Sequence, residues 1–279
     1  MTRFPWASRL LLAIALFAAS AAAAAQSLPV QVRASGNTAT IKVVSTSIAS
    51  TEVLVSFDEA FNLSAASLGV SAELVSLSDP LLLARLPDPA TTQLDSSLPL
   101  LITIEPPAGA GLAFNRTARV EIHTHALPYA VGSSYRILKA PLNGKFRDIT
   151  DEIAPGSVRA RGTTGGFSQF LIVADVRASD QIVAEKISWL RGRFAMLPAL
   201  ERPPFDSYLD AAESAVAAGR FADAIAAVDS IRARAAARAG TALAQQWRAT
   251  RDVENHAGEI LAGAATLEFS IAYLRDFGD

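Results

Sequence analysis

Gly165-Gly166-Phe167-Ser168-Gln169-Phe170-Leu171-Ile172-Val173-Ala174-Asp175-Val176-Arg177-Ala178-Ser179-Asp180-Gln181-Ile182-Val183 is the stretch in which the periodicity of the chain changes. Phe167–Val173 is nearly all apolar over strand length, which suits a central strand covered on both faces. From Ser179 onward the apolar residues step by four and three. Val183, Ile187, Leu190, Phe194 and Leu197 make one stripe of one helix, with Ser179 or Asp180 placed to cap it. A boundary between a β part and a helical part is therefore expected near 177–180.

Upstream of that boundary the period is two. Val30 and Val32, then Ala39, Ile41 and Val43, then Val53, Val55 and Phe57 alternate with polar residues. Leu81–Leu86 and Leu98–Ile104 are short apolar runs of strand length. Val120 and Ile122 alternate with Arg119, Glu121 and His123. Asn143-Gly144 lies between Tyr135–Leu138 and Phe146–Ile149 and reads as a hairpin turn. Val158 and Ala160 alternate with Arg159 and Arg161. Nine or ten short strands separated by turn residues predict a β-sandwich over 26–177.

Downstream, Phe205, Leu209, Ala212 and Val216 form a second helical stripe ending at Gly219. Phe221, Ile225, Val228 and Ile231 form a third, ending near Gly240. A last helix is expected to be capped at Thr241. Its seam is Val253, Ala257, Ile260, Ala264, Leu267, Ile271 and Leu274. Four helices with short connections predict a small antiparallel bundle over 178–279. The expected class is thus a two-part α+β protein, a sandwich (Ig-like or ZU5-like) followed by a four-helix bundle.

The first 25 residues have the form of a secretory leader. Arg3 and Arg9 precede an apolar run from Leu10, and Ala23-Ala24-Ala25 before Gln26 meets the small-x-small rule. Cleavage after Ala25 would remove two arginines from a chain of formal charge −2, giving −4. That balance offers nothing to nucleic acid. The chain has no cysteine, so it has no disulfide, no thiol nucleophile and no lipidation site at the cleavage point. The expected location is the periplasm or the exterior, with no membrane-spanning segment after cleavage.

Three resemblances add to this reading. Pro106-Pro107-Ala108-Gly109, Phe114, Ala118–Ile122, Tyr135-Arg136-Ile137-Leu138, Gly144–Thr150 and Gly165-Gly166-Phe167-Ser168 resemble a ZU5/GAIN-type β-sandwich over residues 98–176. Some of those families cleave themselves, with a histidine before Phe-Ser assisting the serine. Here Gly166 holds that place, so Phe167-Ser168 reads as structural. Tyr135–Ala140, Phe146–Thr150 and Gly165–Asp175, followed by alanine-rich helices, resemble an exported bacterial family of unknown function, which carries no activity to transfer. Tyr208–Ile225 is similar to half a tetratricopeptide unit, but one copy does not make a solenoid.

Candidate chemistry is sparse. Glu121, His123 and His125 share one strand face and could present two imidazoles to a metal, but a third neutral ligand is not evident. Asp148, Asp151 and Glu152 cluster after the Asn-Gly turn without the spacing of a calcium loop, and read as a solvated turn. His256 reads as a residue at the edge of the last seam. Arg232, Arg234, Arg238, Arg248 and Arg251 are interleaved with Asp223, Asp229 and Asp252 as a mixed solvated face. No Gly-x-Ser-x-Gly elbow and no phosphate-cradling loop occurs. No catalytic, cofactor or metal residue is assigned on these grounds.

The functional expectation is a non-enzymatic, exported protein serving cell-envelope or extracellular protein–protein interaction. The rival is a cryptic hydrolase or self-cleaving module using Ser168. Sugar binding by the sandwich is disfavoured, because Trp189 and Trp247 are both expected in helices. A homodimer through Phe269, Tyr273 and Phe277 of the last helix is a further expectation.

Overall fold

The computed structural model describes residues 25–167 and 169–278. All of the leader except Ala25 lies outside these residues, and so does Ser168.

Alternation produces most of the strands. The first are β1 (Gln26–Leu28), β2 (Val30–Ser35), β3 (Thr38–Val43) and β4 (Thr51–Phe61). In β4, Thr51, Val53, Val55 and Phe57 are buried and the residues between them are half-buried. After the one-turn helix α1 (Ala65–Leu68) come β5 (Val70–Leu74), the one-turn α2 (Pro80–Leu83), β6 (Thr92–Gln93) and β7 (Leu100–Ile104). Then follow β8 (Ala113–Thr124), β9 (Tyr135–Ala140), β10 (Arg147–Asp148), β11 (Thr150–Ala154), β12 (Val158–Thr164) and β13 (Gln169–Asp175).

The strands form two antiparallel sheets of seven. Sheet A runs β1-β5-β7-β13-β9-β10, with β6 also on β13. Sheet B runs β11-β12-β8-β4-β3-β2, and its seventh strand is β14 (Gln246–Arg248), paired with β8. One apolar cluster takes Ile102, Ile137, Phe170 and Ile172 from sheet A and Ile41, Val53, Val120 and Val158 from sheet B. The sheets thus face each other. β13 is central in sheet A, as its unbroken apolar run predicts. Its Leu171 and Val173 bury on the opposite face, with Leu138, Leu82, Leu86 and Phe146.

The helices are α3 (Ser179–Ala195), α4 (Arg202–Ala217), α5 (Phe221–Arg238) and α6 (His256–Phe277). The switch from sheet to helix falls between Asp175 and Ser179. A second apolar cluster joins all four, through residues such as Leu190, Leu209, Val228 and Leu267. α3 packs on α4 and α6, and α5 packs on α4 and α6. Gly219 and Gly240 take the left-handed backbone (φ +67° and +73°) that ends a helix. α6 has the length and mean hydropathy of a membrane span by composition alone, but 56% of that window is buried inside the protein.

Five expectations need correction. Leu81–Leu86 is not a strand. Asp79 accepts a hydrogen bond from the Leu81 amide and Pro80 opens a helical turn, so Leu82 is buried on sheet A from that turn and Leu86 from the bend that follows it. The last helix does not start at Thr241. The chain first returns to sheet B as β14, and α6 is capped by Asn255, whose side chain accepts from the Gly258 amide. Trp247 is therefore a buried β residue, stacked on Phe114 at 5.2 Å. The α3 start has no side-chain cap, since Ala178 holds that place. The Asn143-Gly144 link is a longer loop across Pro141–Phe146, with Asn143 itself at φ +58°.

Candidate functional site

The chain passes from sheet A to sheet B at Ile149, between β10 and β11. Side chains of the short edge strand β10 reach both α3 and α6. Register fixes the faces: Asp148 lies opposite Leu138, and Arg147 opposite Lys139. Opposed residues share a face and successive residues do not.

On one face Asp148 meets α3. Its Oδ2 is 2.9 Å from Lys186 Nζ, and both residues are buried. Its Oδ1 accepts from the Thr150 amide at 2.7 Å, while Lys186 also donates to the Thr266 carbonyl of α6 at 3.0 Å. Desolvation opposes ionisation of Asp148. The charges of Lys186 and Arg136, with hydrogen bonds from Thr150, outweigh it and hold the carboxyl below its usual range. Burial lowers the Lys186 ammonium, and Asp148 offsets part of that. A cavity of about 150 Å3 opens beside this pair, walled by Phe146, Ile182 and Trp189. Arg147 lies over the Trp189 ring at 4.0 Å.

On the other face Lys139 and Arg147 meet α6. Glu259 Oε1 is 3.6 Å from Lys139 Nζ, and Oε2 is 3.1 Å from Arg147. Desolvation again opposes the charge on Glu259, and Lys139, Arg147 and Arg193 together keep the carboxyl below its usual range. Burial dominates at Lys139. Glu259 offsets only part of it, and the ammonium is pushed down to about 8.

Close backbone approach seats α6 here. A Cβ on Gly165 would lie 2.5 Å from the Glu259 nitrogen, and one on Gly258 would lie 2.0 Å from the Arg116 carbonyl oxygen. Asn255 donates to the carbonyls of Arg116 and Gly165 while capping the helix. Gly166 has no room for a side chain. Its Cβ would be 2.8 Å from the Trp247 indole.

The other candidates of the sequence lie elsewhere. Glu121 accepts from Arg159 and Arg161, so its carboxylate is already engaged. His123 Nε2 is 3.1 Å from the Gly156 carbonyl and His125 Nδ1 is 2.8 Å from the Ser157 hydroxyl. Among the described residues no group of three or more His, Asp or Glu is arranged for a metal. The expected solvated turn of Asp148, Asp151 and Glu152 is not one turn. Asp148 is buried as above, while Asp151 and Glu152 pair with Arg119 at 3.0 and 2.8 Å. His256 opens α6, and burial lowers its imidazole below the ordinary value despite Glu254.

The arginines expected on a mixed face are paired. Arg234 and Arg238 hold the buried Glu201, Arg232 meets Glu268, Arg248 meets Asp252 and Arg251 meets Glu105. Phe269, Tyr273 and Phe277 form a run along α6 against residues 129–133, where the Tyr273 hydroxyl donates to the Gly132 carbonyl at 2.8 Å. Lys139, Arg147, Lys186 and Glu259 were not singled out by sequence. Lys139 sits two residues from the inward Ile137, and Glu259 is flanked by Gly258 and Ile260, which are the only local hints.

The molecule is an α+β protein of two antiparallel sheets of seven strands, with α6 packed on β8, β11 and β12 of sheet B. Residues 13–275 match the family of unknown function DUF6689, and the chain belongs to that family. No curated protein and no solved structure matches the chain.

Proposed function

We propose that this is an exported, non-enzymatic protein that serves as a structural or protein–protein interaction module of the cell envelope or exterior. The observation that carries the reading is the use of its polar chemistry. Asp148 with Lys186, Glu259 with Lys139 and Arg147, and Asn255 all join the helices to the sheets. These groups hold parts of one chain together.

The finer architecture belongs to the same proposal: an Ig- or ZU5-like sandwich over 26–177 followed by a four-helix bundle. Support comes from the apolar cluster shared by the two sheets and the second cluster shared by α3–α6. The leader reading of 1–25 supports export, and Phe277, 47% exposed at the end of α6, supports a homodimer, whereas Phe269 and Tyr273 pack against the chain itself.

Two measurements test the proposal. Fractionation of the native source should place the chain outside the cytoplasm with Gln26 as its first residue. The purified protein should show an intact mass and no turnover in a broad hydrolase screen. Fragments meeting at Phe167–Ser168, or an activity lost on replacing one histidine, would overturn it in favour of the Ser168 reading.

A further inference from the structure

Between the β12–β13 turn and the start of α6 lies a cavity of about 180 Å3, distinct from the Trp189 pocket. Lys139, Glu259, Trp247 and Asn255 are among its walls. Lys139 is 7% exposed. Its Nζ donates to the Thr164 hydroxyl oxygen at 2.6 Å. The hydroxyl proton is committed to the Gly166 carbonyl, also at 2.6 Å, so Thr164 acts toward Lys139 as an acceptor. The one carboxylate near the amine, Glu259, is shared with Arg147.

The choice of side chain is informative. The chain has four lysines, Lys42, Lys139, Lys145 and Lys186, among 25 basic residues. A planar guanidinium is better suited to a buried pair with a carboxylate, whereas a desolvated amine is suited to nucleophilic attack.

We infer that Lys139 captures small carbonyl compounds, of the size of an aldehyde or 2-oxo acid of two or three carbons, as imines in this cavity. The Nζ lone pair forms the new bond to the carbonyl carbon, and the C=O π pair moves to oxygen. One amine proton passes through Glu259 to that oxygen. The remaining proton on that nitrogen then passes through Glu259 to the hydroxyl, which leaves as water while the nitrogen lone pair closes the C=N bond of the imine. Amine plus carbonyl gives imine plus one water, with no change of oxidation state. Burial, which pushes the amine to about 8 despite Glu259, leaves roughly a tenth of it unprotonated at pH 7. This inference stands apart from the interaction role proposed above.

The test uses the full chain at pH 7 with acetaldehyde, and separately with pyruvate, in the presence of cyanoborohydride to fix any imine as a secondary amine. Peptide mass spectrometry then gives the modified fraction of each lysine. Lys139 is expected to lead the exposed Lys42 and Lys145 by roughly tenfold or more with at least one of the two probes. The buried Lys186, whose amine is held by Asp148 and the Thr266 carbonyl, is expected to lag. Labelling of Lys139 no faster than Lys42 with both probes overturns the inference, as does equal labelling of Lys186. The ratios are read within the unaltered protein, so no variant has to fold.

Discussion

Two interfaces in this protein are built on opposite principles. Between the sheets, Phe57, Phe114, Phe167 and Trp247 meet with ring centroids 5.2 to 5.9 Å apart, and Arg251 lies over the Trp247 ring at 5.6 Å. Between sheet edge and helices, Lys139, Arg147, Asp148, Lys186, Glu259 and Asn255 make the contact. Apolar burial is strong and non-directional. A buried ion pair gains little net energy over a hydrophobic replacement but penalises any arrangement that separates its partners. We read the first interface as the source of stability and the second as the source of position.

Substitutions can break that contrast. Phe114→Ala removes the ring at the centre of the aromatic group and should cost about 3–5 kcal/mol in denaturant unfolding. Lys186→Met strands the buried Asp148 carboxylate and should cost about 3 kcal/mol, most of it recovered in Lys186→Met/Asp148→Asn. A double variant as unstable as the single one would mean that the pair supplies stability itself. Asn255→Ala removes a cap and two hydrogen bonds to the sheet turns, and about 1–2 kcal/mol should follow in the same measurement.

Titration sharpens the comparison further. Asp148 and Glu259 have lowered carboxyl pKa values. Their contribution is complete above the unfolded value of about 4 and is lost as pH falls through the lower folded values. Melting followed from pH 6 down to 2 should show a steeper loss for the wild-type chain than for Lys186→Met/Asp148→Asn. Lys139 runs the other way. Its folded value near 8 lies below the unfolded one, so the unfolded chain binds more protons between about pH 8 and 10. Stability relative to Lys139→Met should rise across that window. At the small end, Arg191→Ala breaks only exposed pairs with Asp210 and Glu213, and should shift stability by about 0.5 kcal/mol or less.

The aromatic interface was more legible in the sequence than the ionic one, for a physical reason. Alternation at Val53, Val55 and Phe57, and the unbroken run before Asp175, announce inward faces locally. The switch at Asp175–Ser179 could be read because two long periods meet there. Leu81–Leu86 misled because a short apolar run has no period of its own, although Asp79-Pro80 carried the helix signal. β14 escaped because three residues cannot establish alternation. The ionic site joins β9 and β10 to residues on α3 and α6 far along the chain, and such pairs leave no mark on either local pattern. Asp148 alone drew notice, and for the wrong surroundings.

β14 has a consequence in time. Residues 246–248 complete sheet B beside 113–115, and Trp247 seats against Phe114 and Phe167. The ribosome makes the first twelve strands of this arrangement, then β13 and three whole helices, before it delivers that tryptophan. A chain emerging from its N-terminus therefore carries an open aromatic hollow until β14 arrives, and sheet B closes only by a pairing of large sequence separation, which is intrinsically slow. Trp247 fluorescence should consequently report the last act of folding rather than the first collapse.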